Sequence, residues 1–101
     1  MVVALDDTVS RRADVMAREL PDGAVLVDMV SGRCWELNRV GAALWTLLES
    51  PTTLRGACDA LSGRYDVELA VLQRDVLAVG EELLRAGLLL RGPAAGSETR
   101  P

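Results

Sequence analysis

Cys34 and Cys58 are the only thiols in a chain of 101 residues that contains no histidine. The side chain that most often serves as a base near neutral pH is therefore missing. The two cysteines stand in unrelated contexts with no CxxC pair, so a zinc site of sulfur and imidazole ligands has no donor set. A disulfide framework in so short a chain would call for more cysteines, and both thiols are expected reduced, in a cytoplasm. Cys34 reads as a small packed thiol rather than a reactive one. No nucleophile, base or metal constellation can be assembled. An enzyme is not expected, and no cofactor, metal or catalytic residue is assigned.

What remains is chemistry of the backbone, and it concentrates in GRCWELN, residues 32–38. Gly32 ends a turn, residues 33–37 alternate polar and apolar as a strand does, and Asn38 is a good helix N-cap before an apolar run. A strand that leads straight into a helix makes a fixed corner. The period of two puts Trp35 and Leu37 on one face and Cys34 and Glu36 on the other. The Trp35 ring is expected in the core, as large aromatics usually are.

The elements that position this corner follow from the rest of the chain. Half of the residues are apolar and 26% are charged, which suits one compact core. A net charge of −4 is the wrong sign for a protein whose affinity comes from neutralising phosphates. The opening MVVALDDTVSRR has neither the apolar stretch of a signal peptide nor the length of a spanning helix. No nucleic acid or membrane partner is expected. Residues 1–12 are read as a flexible segment, 13–90 as the folded domain, and 91–101, rich in Pro, Gly and small residues, as a disordered tail.

Residues 14–20 read as a first strand, with Val15, Ala17 and Glu19 on one face and Met16, Arg18 and Leu20 on the other. Pro21, Asp22 and Gly23 form a turn, and the β-branched run 24–29 is a second strand. Ser31 and Gly32 reverse the chain into the third, with Asp28 placed to bond turn amides. A two-residue loop would pair Leu26 with Leu37, and a three-residue loop would pair Val25 with Leu37. Val40, Ala43, Leu44, Leu47 and Leu48 then mark a core-facing helix, with Trp45 at the edge of its apolar face. It ends at Ser50-Pro51, and Thr52 or Thr53 caps a second helix that stops at Gly63. A third helix starts near 66–68 and runs to Ala86, with Gly87 after it. Leu72, Val76, Val79 and Leu83 form its core stripe. One flank carries Val71, Asp75, Ala78 and Glu82, and the other Leu69, Leu77, Gly80 and Leu84. The predicted fold is α+β and winged-helix-like, a three-stranded antiparallel sheet followed by a three-helix bundle.

The stretch DGAVLVDMVSGRCWELNRVGAALWTLL, followed by YDV, RDV and LLRAGLL, resembles the PqqD-like family of precursor peptide recognition elements for ribosomally made, modified peptides. The Trp-Glu-Leu-Asn end of the hairpin is most similar to the stand-alone proteins of split lasso-peptide systems. The resemblance covers residues 13–90. Cys34 stands where relatives often carry an aromatic residue, and Val79-Gly80 where a larger pair is common in PqqD proper. These departures favour the lasso branch over a PqqD-type chaperone of another modified-peptide pathway.

The resemblance implies binding without catalysis. The leader of a precursor peptide would add as an extra strand to the third strand, in the groove between it and the third helix. Carried onto this chain, the groove takes Arg33, Cys34, Trp35 and Glu36 on the strand, through their backbone. On the helix it takes Val71, Arg74, Asp75 and Ala78, with Asp75 matching the acidic residue of the RDV motif. Leaders of this class present Tyr-x-x-Pro, which implies an apolar slot for both rings. The implied partners are the precursor leader, a cysteine peptidase that removes it, and an ATP-dependent cyclase. Without the resemblance, Asp75 could simply pair with Arg74, Arg64 or Arg85 at the surface. A winged-helix DNA reader is the rival from another class, but its recognition helix should be basic. Residues 68–87 carry four acids against two arginines.

Overall fold

The computed structural model describes residues 3–92. Among these the fold is α+β, with six strands in two antiparallel sheets and three helices. The first sheet has the order β2-β3-β4, formed by β2 (Val15–Leu20), β3 (Gly23–Asp28) and β4 (Cys34–Leu37). These are the three strands expected from the sequence. The helices are α1 (Arg39–Leu47), α2 (Leu54–Ser62) and α3 (Leu69–Arg85), again as expected, except that α1 ends at Leu47, ahead of the Ser50-Pro51 stop.

The second sheet has the order β5-β1-β6 and was not anticipated. It joins β1 (Thr8–Arg11), β5 (Thr52–Thr53) and β6 (Leu89–Arg91). The segment 1–12, expected to be flexible, instead carries its central strand, and Arg91, assigned to the tail, lies in β6. Residues 93–101 of that tail lie outside the described residues. Val9 supplies the only large apolar side chain of β1, too little for a period-two signal. That strand exists because partners on both sides satisfy its backbone, Thr53 and Thr52 on one edge and Leu89 to Arg91 on the other.

Each helix end is explained by local chemistry. Asn38 accepts from the Gly41 N–H at 2.8 Å, and Thr53 accepts from the Gly56 N–H at 3.0 Å, so the alternative cap at Thr52 is not used. Gly63 follows α2 with right-handed geometry. After α3, Gly87 is left-handed at φ 82°, its N–H donates to the Leu84 carbonyl, and the Leu88 N–H donates to that of Leu83. This paired closure lets Leu88 fold back into the core, where it is fully buried.

The core lies between the first sheet and the helices. Leu26 of β3, Leu44 of α1, Leu54 and Leu61 of α2, and Leu72, Val76 and Leu83 of α3 are all sealed from solvent. Trp45, expected at the edge of the α1 apolar face, is buried as well. The reason is β1: the Arg11 guanidinium lies 5.0 Å from the Trp45 ring centroid and donates twice to the Trp45 carbonyl. Gly80 has a packing role, since a Cβ there would stand 3.3 Å from Leu54 Cδ1, so α2 crosses α3 on that flank.

The β3–β4 register differs from both sequence expectations. Ala24 pairs with Leu37 and Leu26 with Trp35. The reversal is longer because Asp28 builds it. Its carboxylate accepts from the Val30 N–H at 2.9 Å and the Ser31 N–H at 3.4 Å, its own N–H donates to the Arg33 carbonyl, and its carbonyl accepts from left-handed Gly32. The same carboxylate is ion-paired with Arg12, whose guanidinium also donates to the Gly87 carbonyl at 3.1 Å.

The Val30 N–H above all, helped by Arg12 and Ser31, holds the Asp28 carboxyl down to about 2, although burial works the other way. A carboxyl depressed on folding stabilises the native state fully above its ordinary value of 3.8, and that contribution is lost as the pH falls towards about 2. Asp28→Asn should therefore melt at a lower temperature than the parent at neutral pH. The gap should close progressively as the pH falls through that window. Thermal melts of both proteins across acid pH check this, and a gap independent of pH would exclude the assignment.

Candidate functional site

The geometry of β4 follows from the parity of its pairing. In an antiparallel ladder, directly opposed residues alternate between exchanging hydrogen bonds with each other and turning their backbone groups outward. The Asp28 N–H bonds to the Arg33 carbonyl, so in the same register Leu26 with Trp35 and Ala24 with Leu37 are the bonded pairs. Cys34 and Glu36, opposite Val27 and Val25, then direct their N–H and C=O groups away from β3. Among the described residues no strand lies on that side, because β4 is the last member of its sheet. The edge is thus short, open and equipped with donors and acceptors at alternate residues.

The position of β4 is held at both ends. At its start the Asp28 turn fixes Arg33. At its finish Gly23 lies so close that a Cβ there would stand 1.9 Å from the Leu37 carbonyl oxygen, so only glycine allows this approach. Asn38 then caps α1 directly, which keeps the strand-to-helix corner tight.

Beside this edge lies a hollow of about 310 Å³, lined by Arg33 and Trp35 on the strand side and by Glu82, Arg85 and Ala86 at the end of α3. That is at the low end for a small-molecule pocket and suits a single side chain. Trp35 is half-buried, packing one side of its ring on the core and leaving the rest to the hollow. The Arg33 guanidinium sits 5.8 Å from its ring centroid. Arg85 is engaged with Glu81 at 2.9 Å.

The predicted site residues separate into three groups. Arg33 and Trp35 come together at the hollow. Cys34 and Glu36 contribute backbone to the edge, but their exposed side chains point to the opposite face of the sheet. Val71, Arg74, Asp75 and Ala78 do not line the hollow. They occupy earlier turns of α3, where Val71 and Asp75 are half-buried and Arg74 and Ala78 are exposed. Glu82, which does line it, lies on the same helical flank as Val71, Asp75 and Ala78, opposite the flank on which Gly80 meets α2. Among the described residues Asp75 forms none of the ion pairs. Ala86 and Arg85 could have been found by extending that flank one more turn. Arg12, which ties the hairpin turn to the end of α3, had no sequence signal because its partners lie 16 and 75 residues away.

The thiols are unlike each other. Cys58 is buried and free, and desolvation, the larger influence, raises its pKa. Cys34 is free and exposed. Among the described residues no group of three or more Cys, Asp or Glu side chains is placed to hold a metal ion, and no helix is long and apolar enough to cross a membrane.

A family model described as Coenzyme PQQ synthesis protein D (PqqD) matches residues 23–89. Two solved structures are similar. "TbiB1 in Complex with the TbiA(beta) Leader Peptide" aligns with a TM-score of 0.69 at 26% identity, over 79% of this chain and 93% of that one. "Lasso peptide synthetase B1 complexed with the leader peptide" aligns with a TM-score of 0.62 at 28% identity, over 81% and 96%. Among curated proteins there is no match.

The parity of β4 makes a contrast that can be measured. Cys34→Pro removes an N–H that faces the open edge and should leave the melting temperature nearly unchanged, whereas Trp35→Pro removes a ladder bond to Leu26 and should unfold the hairpin. Circular dichroism melts of the two variants decide it. Equal damage from both would mean that the outward assignment of Cys34 is wrong.

Proposed function

The chain belongs to the PqqD family, and from that membership we propose that it is a non-catalytic adaptor for the leader segment of a ribosomally made precursor peptide. The observation that carries the reading is the open β4 edge beside the Trp35 hollow, in a fold shared with two proteins solved in complex with leader peptides. A leader would add as a fourth strand, bonding to the backbone of Cys34 and Glu36, with Arg33 and Trp35 beside it. Its other side would lie along α3, where Val71, Arg74, Asp75 and Ala78 offer a flank not covered by α2.

A Tyr-x-x-Pro element suits this arrangement, because one ring can enter the hollow between Trp35 and Ala86 while the strand continues along the helix. The adaptor would then deliver the precursor to a cysteine peptidase and an ATP-dependent cyclase in the cytoplasm. Its contribution to those reactions is effective concentration, since a tethered substrate need not find the enzyme by diffusion alone.

Titrating a fluorescent synthetic leader containing Tyr-x-x-Pro tests the proposal. Saturable binding at micromolar levels is expected, with no affinity for duplex DNA. Cys34→Pro should weaken it several-fold, in keeping with about 1 kcal/mol for one lost hydrogen bond. Asp75→Ala should weaken it about tenfold, or about 1.4 kcal/mol, with little change in melting temperature. Tight duplex binding without leader binding would overturn the reading. A collapse in melting temperature with affinity retained would remove Asp75 from the site.

A further inference from the structure

The sheet has a second open edge, and its geometry is set as firmly as the first. β2 is the other end member of the sheet, and residues 16–20 are all exposed. The Met29 N–H donates to the Asp14 carbonyl at 2.8 Å, so along the same register Met16, Arg18 and Leu20 are bonded to β3. Val15, Ala17 and Glu19 turn their backbone groups outward. No proline or bulge interrupts this edge, and it is longer than that of β4.

Val15, Ala17 and Glu19 also line a hollow of about 470 Å³ whose far wall is α1, where Ala42 and Ala43 keep the wall low. A cation stands at each end. Arg39 is loosely paired with Asp22, at 3.7 Å, just beyond the end of β2. Arg11 stands four residues before Val15. Its guanidinium is bound to the Trp45 carbonyl, and no carboxylate is ion-paired with it among the described residues. Desolvation, more than the opposing charge of Glu49, shifts Arg11 downward, which marks a partly dehydrated cation whose nearest acid, Glu49, is not in ion-pair contact with it.

We infer that the β2 edge is a self-association surface, on which β2 of a second copy of this chain pairs antiparallel about Ala17 and brings its Glu19 towards Arg11. The charges along the strand are compatible with this register and disfavour two of its neighbours. A two-fold axis at Ala17 sets Val15 opposite Glu19 and Met16 opposite Arg18, so no like charges meet. Shifting the axis to Arg18 or to Glu19 would oppose two arginines or two glutamates directly, which is unfavourable. The Ala17-centred register also uses every outward residue of the strand, and it holds the two Glu19 side chains about 14 Å apart along the sheet. The result is a continuous six-stranded sheet, an isologous dimer with both β4 edges at its outer ends. Each dimer would present two separate sites of the kind proposed above, and the association does not depend on those sites being occupied.

Cysteine cross-linking in a Cys34→Ser background tests this. Residues facing each other on the axis as a bonded pair have Cα atoms about 5.5 Å apart, within reach of a disulfide. Ala17→Cys should give a covalent dimer on mild oxidation, whereas Glu19→Cys should not. Sedimentation of the parent chain should show dimer at about 100 µM, a concentration that populates even a weak interface. Glu19→Arg, an exposed change, should shift that equilibrium at least tenfold towards monomer. A parent chain that stays monomeric, cross-linking of Glu19→Cys as fast as Ala17→Cys, or an undiminished dimer in Glu19→Arg would each overturn the inference. All these readouts are taken without leader, so a failure of leader binding leaves them standing.

Discussion

The parity of β4 rests on the turn built by Asp28. Moving the pairing by one residue would turn the Trp35 ring out and direct the backbone of Cys34 into the sheet, leaving neither a wall for the hollow nor an edge with the same groups exposed. Asp28 prevents this by using its carboxylate for the turn amides and its main chain for Arg33 and Gly32, so the loop length admits one register. Gly23 guards the other end by its contact with Leu37. Between these two points the strand has little freedom to slide.

The same carboxylate connects the hairpin to the end of α3. Arg12 bridges the Asp28 turn and the Gly87 carbonyl, one residue beyond Ala86 in the hollow, and its own N–H donates to the Leu88 carbonyl. The hairpin and the last turn of α3 are therefore spaced by one guanidinium rather than by direct packing alone. A planar group with several fixed donors is well suited to such a bridge, where lysine would offer a single point. The second sheet matters for the same reason, because β1 is what delivers both Arg12 and Arg11 to their partners.

How much of this was legible in the sequence depends on the range of the interaction. The three strands of the first sheet, the three helices, the Asn38 cap and the Gly87 closure are written within a few residues of themselves, and periodicity or capping rules find them. The inward ring of Trp35 and the outward side chains of Cys34 and Glu36 follow from a period of two. Strands β1, β5 and β6 are short, and β1 and β5 are poor in apolar residues. They exist through pairing across more than 40 residues, which no local pattern encodes. The hairpin register was missed because it depends on what the Asp28 carboxylate bonds, not on loop composition. Asp75 and its neighbours on α3 are what the family resemblance implies, and they lie on the side of α3 away from α2. The residues that line the hollow extend that flank beyond the motif that drew attention to it.

Magnitudes indicate how a guest strand could be held by so short an edge. Cys34 and Glu36 offer four backbone groups, worth about 4 kcal/mol together at about 1 kcal/mol each. Association itself costs at least about 4 kcal/mol in lost freedom, so backbone pairing alone comes out near zero. Micromolar affinity corresponds to about 8 kcal/mol and must come from apolar burial. At about 25 cal/mol per Å² that is roughly 320 Å², close to the area of two ring-sized side chains. On the proposed reading the backbone of β4 would set direction and register without sequence preference, while the affinity and the choice of peptide would rest on what two side chains find beside Trp35 and along α3. By the same arithmetic, if a leader binds here, one ring alone would leave it too weakly held, and a spaced pair of rings would suit the edge better than a single anchor.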